Sequence, residues 1–536
     1  MLAVSRCGVC QYVCVWADRE NEVKHTFGRT YEERTCVNDY VRACARTCYC
    51  TTGILVEGDS KLELHKDRLV GNSGPNMSAK DRGTIVARAS VFEGGFSHGL
   101  VISSSMSCRL IVCHVNLNEA GNVLVEKNGQ LQMIRCQLSG HAGPSVWSRE
   151  ASGITLTECT LQQSREALVK VSDQSKATLL STVVEMGEAD GILVENEASA
   201  LLTHVIVREC ETGLHLKGNA RVGGEANEIL DNRMIGVLSA DDSYLALERS
   251  TVSGSKVSNI SLTQNACIVL REALVHDSKI GIELDNLSHG TIQGGHIHSC
   301  SVGMYIKTEA GAQAMNIVEC SISYCKRVGV WCGRTCAPIF NACKIRHCSE
   351  SCIRMAEHTK ARFVQCAVDA STAQGVWVGN HAAGCIEGCV ITNNATAGIR
   401  LSDQACPDII KNKIYNNPAG IVIAGSARPQ ISANVFTDNK ISALHLLDSS
   451  GPIVENNKIL QGHEIGVMIC DSSKGILRRN QLCGANSTAF ELQNDCDPLL
   501  EVLQFLQLCF YLNLLRSVVK VVIWSNFSIM AGQCHI

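Results

Sequence analysis

Several things are scarce or missing in this sequence, and each absence excludes a class. Aromatic residues make up only 4% of the chain, no basic run occurs, and the net charge is −4, which argues against a primarily electrostatic binder of nucleic acid. The longest uncharged apolar run, 502–515, is fourteen residues, short of the length that spans a bilayer. Residues 1–16 have neither a basic start nor a clean apolar core, so they read as a poor signal peptide. There are no heptads, no leucine-rich-repeat signature and no apolar residue every six positions, so coiled coils, horseshoes and left-handed hexapeptide helices drop out. A phosphate-binding glycine-rich loop, His-Glu-x-x-His and Gly-x-Ser-x-Gly are missing as well.

What remains is a repeat. Gly-Val-Trp-Val begins at Gly375, Gly-Ile-Arg-Leu at Gly398, Gly-Ile-Val-Ile at Gly420, Ala-Leu-His-Leu at Ala443 and Gly-Val-Met-Ile at Gly466, in steps of 22 or 23 residues. The register continues back to Gly99 and forward to Ala489, with one step of 26 between Gly303 and Gly329 that marks a three-residue insertion. One and three residues after each start the chain is usually aliphatic, as at Ile192 and Val194, Leu214 and Leu216, Ile282 and Leu284, and Ile421 and Ile423. That alternation predicts a short strand with one buried face. A unit of this length, too short for paired helices, predicts an all-β, right-handed, single-stranded parallel β-helix of about 18 coils that forms its core only by stacking. The expected organisation is a Cys-rich lead-in over 1–52, the β-helix over 53–497 and an apolar segment over 498–536 that caps the open end as a helix. The alternatives for that last segment are a membrane-associated or partner-binding helix over 499–524.

Two further columns mark the turns. Fourteen residues after the starts, or seventeen after Gly303 because of the insertion, one column runs Cys113, Cys136, Cys159, Thr182, Val205, Asn227, Ser250, Ala273, Gly295, Cys320, Cys343, Cys366, Cys389, Asn412, Asn434, Asn457 and Asn480; a second column holds Asn118, Cys210, Asn232, Cys300, Cys325, Cys348, Asn394, Asn417 and Asn439. Stacked amides at a bend satisfy one another and the turn backbone, and cysteine substitutes for asparagine at the same place. Neighbouring thiols in such a column suit disulfides poorly and small buried apolar roles well, so the thirty cysteines predict free thiols in a reducing, cytoplasmic compartment. In the lead-in, Cys7, Cys10, Cys48 and Cys50 have spacings that thiolate ligation of zinc can use, but they match no standard module. The reading is no metal and no cofactor.

Candidate function lies on the residue between the two buried strand positions, which faces outward. All three tryptophans of the repeat region, Trp147, Trp331 and Trp377, fall in this one column. Tyr305, Trp331, Arg354, Trp377 and Arg400 predict a continuous stripe on five successive coils, of the residue types that dominate binding hot spots; a ladder that merely stabilises the sheet face is the bland alternative. Acid–base candidates are Asp241 with Asp242, Glu283 with Asp285, and the histidines His289, His296 and His298. Ordinary turn acids account for them more simply, so no catalytic residue is assigned.

The run Pro407-Asp-Ile-Ile-Lys-Asn-Lys-Ile-Tyr-Asn-Asn-Pro-Ala-Gly-Ile-Val-Ile, continued through Pro429-Gln-Ile-Ser-Ala-Asn-Val-Phe and Pro452-Ile-Val-Glu-Asn-Asn-Lys-Ile, resembles the right-handed β-helix repeats of the pectate-lyase-like superfamily. It is most similar to the β-helix region of the F-box-only proteins, although residues 1–52 show no F-box. The resemblance implies substrate recognition of ubiquitin-ligase type by a non-enzymatic scaffold that binds a protein partner along the stripe. The alternative it implies is a carbohydrate-active enzyme, or a degenerate sugar-binding relative, with a polysaccharide in the same groove.

Overall fold

The computed structural model continuously describes residues 52–309, 315–483 and 488–506. Among these residues every regular element is a β-strand. They fall into two compact units, 1–279 and 280–536. Each is a parallel solenoid with three short strands per repeat. In the first unit one coil runs Asp190–Val194, Ser199–Thr203 and Ile206–Arg208, and the next Thr212–Leu216, Arg221–Glu225 and Glu228–Leu230. Ile192 pairs with Leu214, one period later. In the second unit Ala397–Leu401, Asp408–Ile410 and Lys413–Tyr415 form one coil, and Ile399 pairs with Ile421. The predicted register holds across these pairings.

The core is built by the expected alternation. Ile192, Val194, Leu214, Leu216, Ile282, Leu284, Ile421 and Ile423 all have 0% exposure. Each coil contributes only a few such side chains, so burial comes from the coils above and below, and aromatic rings in the interior stack likewise: Phe340 lies 4.6 Å from Phe363 at 12°. The expected helical cap is corrected. Leu499–Leu506 is a strand that pairs in parallel with Ile476–Arg478 and Gln481–Cys483, because an apolar run fits a buried strand as well as a helix. The remainder of that segment, residues 310–314 and the candidate zinc cysteines Cys7, Cys10, Cys48 and Cys50 lie outside the described residues.

The third strand of a coil sits between two sharp bends, and each bend follows one scheme. A residue with positive φ precedes a buried ladder residue: Lys411 (56°) precedes Asn412, Ala433 (57°) Asn434, Asn456 (54°) Asn457, and at the second bend Asn416 (55°) precedes Asn417. Left-handed backbone is unfavourable for most of these side chains, so something must hold it. The ladder does so. Cys389 N–H donates to Asn412 Oδ1 at 2.8 Å, Asn412 N–H to Asn434 at 2.8 Å, Asn434 N–H to Asn457 at 2.9 Å and Asn457 N–H to Asn480 at 3.0 Å. Each Nδ2 also donates inward, as Asn434 does to Ile409 O at 2.8 Å. The first unit uses mixed rungs: Val205 N–H donates to Asn227 Oδ1 and Asn227 N–H to Ser250 Oγ, while Cys113 N–H donates to Cys136 Sγ at 3.4 Å. Cysteine is thus a working rung.

The 21 described cysteines are all free, and most are buried. Burial pushes the Cys108 and Cys210 thiols up to about 11, which suppresses the reactive thiolate. With native protein, thiol alkylation read by peptide mass spectrometry is expected to label exposed Cys406 well before any ladder cysteine. In denaturant without reductant the titre should approach thirty, and a titre near zero would overturn the free-thiol reading.

Among the described residues the second ladder runs as far as a histidine. Asn394 N–H donates to Asn417 and Asn417 N–H to Asn439, and the next rung is the buried His463, whose Nδ1 lies 3.2 Å from Asn439 N and 2.7 Å from Asn439 O. Burial holds the His463 pKa below its ordinary 6.5, against the opposing Asn439 and Phe436 backbone bonds and Asp438 charge. Burial likewise lowers His445. A folded pKa below the unfolded one means that these imidazoles contribute stability above pH 6.5 that is lost as pH falls from there through the folded pKa. His463→Asn preserves an acceptor for Asn439 N–H and removes the titration, so its denaturation midpoint should fall less between pH 7 and pH 5 than that of the unaltered chain; equal falls would remove His463 from the acid response.

Candidate functional site

The outward column of the first strand assembles as the repeat demands. Tyr305 pairs in register with Trp331, Trp331 with Arg354, Arg354 with Trp377 and Trp377 with Arg400. All five residues lie in the second unit. The Tyr305 and Trp331 rings are 5.1 Å apart and tilted by 43°. The Arg354 guanidinium carbon sits 4.9 Å from the Trp331 ring centre and 4.6 Å from that of Trp377, so the cation is sandwiched between two indoles. The stripe is continuous across these coils, and the sandwich has a specific consequence. The rings turn their faces to one another and to Arg354, leaving edges and guanidinium N–H groups for a ligand.

Two guanidiniums on this face are uncommitted. No carboxylate pairs with Arg354 or Arg400 among the described residues, and Arg354 Nε is buried without a hydrogen-bond partner. Arg400 is exposed. Stacking fixes the plane of Arg354 in advance, which lowers the entropy lost when its fork binds an anion.

At one end of the stripe, next to Tyr305, lies a charge cluster. Lys307 Nζ is 2.9 Å from Glu283 and 3.2 Å from Asp285, and Arg334 is 2.8 Å from Asp285. Burial pulls the Lys307 pKa down, but the hydrogen bonds and charges of Glu283 and Asp285 outweigh it and raise the value overall. Lys307 is therefore held as an ammonium, and both carboxylates are occupied. The structure does bring Glu283 and Asp285 together; their partners Lys307 and Arg334 had no signal in the sequence except their places on the next two coils.

The other acid–base candidates serve the turns. Asp241 Oδ2 accepts the Gly218 N–H at 2.8 Å, and Asp242 Oδ1 accepts from Asn265 Nδ2 at 2.7 Å. Asp241 is one rung of a third ladder at the bend that follows the first strand. In the second unit Glu357 accepts from Arg334 N and Asp403 from Asn380 N. His289 Nδ1 lies 3.2 Å from Leu287 O, His298 Nδ1 lies 3.0 Å from Ser299 Oγ, and His296 is exposed. Within the first unit the outward column holds a related arrangement that sequence reading passed over: Arg149 and Lys170 lie 4.7 and 5.1 Å from the Trp147 ring centre. There the cations are paired, Arg149 with Glu126 and Lys170 with Glu195.

The model of the family described as "Right handed beta helix region" matches residues 144–279, 235–386 and 385–502, well over half of the chain. No curated protein matches the sequence. Among solved structures, the Vag8–C1 inhibitor complex is similar at 11% identity over 86% of this chain and 99% of that one, with a TM-score of 0.38. A periplasmic alginate epimerase AlgG is similar at 12% identity over 64% and 75%, TM-score 0.30, and the PL6 family alginate lyase AlyGC at 9% over 90% and 96%, TM-score 0.29. Likenesses this faint say nothing of activity.

Proposed function

The chain belongs to the right handed beta helix family, and from that premise we propose that it is a non-enzymatic recognition scaffold whose stripe face binds an acidic polysaccharide. The observation that carries this reading is the pair of uncommitted guanidiniums, Arg354 clamped between Trp331 and Trp377, and Arg400 exposed on the next coil but one. Fixed, unpaired guanidiniums are receptors for carboxylate or sulfate. Two strand spacings separate them by about 9.6 Å. An extended peptide repeats a side of its backbone every ~6.8 Å, so an acidic strand falls out of step with the two arginines. A saccharide chain, whose acidic groups are set by its linkages, is the better match.

Catalysis is left out of the proposal because Glu283, Asp285 and Lys307 occupy one another. A second reading, the recognition of a protein partner as in substrate receptors of a ubiquitin ligase, is favoured by the Tyr, Trp and Arg composition of the stripe. The test is retention of the full chain on an immobilised polyuronate, with a neutral glucan as control, beside the variant Trp331→Ala with Trp377→Ala. The chain should be retained on the polyuronate alone, and the variant should keep its β-sheet circular dichroism while losing retention. Equal retention on both polymers, or an unaffected variant, would refute the polysaccharide reading; new reducing ends in the polymer would refute the non-enzymatic part.

A further inference from the structure

A depression of ≈ 590 Å³ is lined by Glu357, His358, Asn380, His381, Asp403 and Gln404. These are two adjacent bend residues from each of three successive coils, just beyond the first strand that carries the stripe. The His358 and His381 rings stack at 5.0 Å and 6°. The tip of the Trp377 ring fills the space that a Cβ at Gly379 would need, so the indole that clamps Arg354 reaches the residue just before Asn380, which lines the depression. Glu357 Oε2 and Asp403 Oδ2 each accept a backbone N–H of the preceding coil, at 2.7 and 2.9 Å, and Ser402 Oγ also donates to Asp403 at 3.2 Å. Each carboxylate keeps a second oxygen for a donor.

The stripe and the depression beside it thus differ in chemistry. The stripe side is cationic; the depression carries two carboxylates among imidazoles and amides. Those carboxylates repel a second anion and accept hydroxyl or amide N–H donors. Resting on the proposed polysaccharide reading, we infer that the depression is a subsite for an uncharged, donor-rich sugar, so that the full site selects a polymer mixing uronate with N-acetylhexosamine over a polymer of uronate alone.

The probes are an alternating glucuronate–N-acetylglucosamine oligosaccharide and an oligogalacturonate of equal length, titrated calorimetrically into the full chain. The variant is Glu357→Gln with Asp403→Asn, which keeps an amide oxygen for Arg334 N–H and Asn380 N–H while removing both charges. The unaltered chain should prefer the mixed polymer by roughly three- to fivefold, the scale of partly screened exposed charges, and the variant should lose that preference by binding the oligogalacturonate more tightly. Equal affinities in the unaltered chain, or a preference unchanged in the variant, would overturn the inference while leaving the polysaccharide reading intact. Failure of both probes to bind would sink the reading beneath it and the inference together.

Discussion

Asn434→Ala is expected to be among the most destabilising single substitutions in the second unit. Asn434 Oδ1 accepts both the backbone and the side-chain N–H of Asn412, at 2.8 and 2.9 Å, and its Nδ2 donates to Ile409 O and Asn457 Oδ1, at 2.8 and 2.9 Å. Asn434 has 0% exposure, so no water replaces these partners. Truncation orphans a backbone N–H, a backbone carbonyl and neighbouring amides inside the coil, and unsatisfied buried groups of this kind total roughly 3–5 kcal/mol. It also removes what holds Ala433 at a φ of 57°. Asn434→Cys should cost under about 2 kcal/mol, because cysteine already serves as a rung: Cys136 accepts from Cys113 N–H and lies 3.5 Å from Leu110 O. Coils of a solenoid unfold with their neighbours, so the reading is the denaturation midpoint together with hydrogen exchange at the Asn412 amide. If Asn434→Ala proves no worse than Asn434→Cys, the ladder does not hold the bend.

Replacing Arg354 and Arg400 together with glutamine is expected to weaken binding of an acidic polysaccharide by about a hundredfold, the scale of losing desolvated charge partners from an interface. Stability should change far less, since neither guanidinium has a carboxylate partner among the described residues and the stripe sits outside the core. Most of the loss belongs to Arg354, which the indoles of Trp331 and Trp377 hold in one plane. Arg354→Lys should restore little of it, because an ammonium keeps the charge but loses the planar fork. Binding restored by lysine would mean that bare charge suffices and the sandwich is merely structural.

Much of this architecture was legible in advance, for a physical reason. Parallel strands one period apart must stack identical positions, so the spacing of Gly398, Gly420 and Ala443 was enough to bury Ile399, Ile421 and Leu444 and to line up Trp331, Arg354 and Trp377. The asparagine and cysteine columns could be read because a rung has to repeat to find its partner. Few of the bends could be read through glycine or proline, since most left-handed positions hold other residues, such as Lys411, Ala433, Asn456 and Glu158 (53°), and only some hold glycine, such as Gly388 (62°) before Cys389; the geometry is imposed by the ladder residue that follows. The C-terminal apolar run misled because composition separates buried from exposed, not strand from helix. The site was half legible. Its five stripe residues follow from the repeat, whereas the locking of Glu283 and Asp285 by Lys307 and Arg334, and the depression around His358 and His381, depend on side-chain reach between coils. Asp403 and Glu357 hold their bends, as turn acids do, and also line that depression.

Trp331 and Trp377 sandwich the cation at the centre of the proposed recognition, so their fluorescence reports on it. The decisive measurement is a titration of the full chain with an acidic oligosaccharide, followed by tryptophan emission. A saturable change is expected in the unaltered chain, weakened by salt and abolished by Arg354→Gln with Arg400→Gln. A flat titration with folded protein, or a saturable change that survives loss of both arginines, would contradict the proposed recognition.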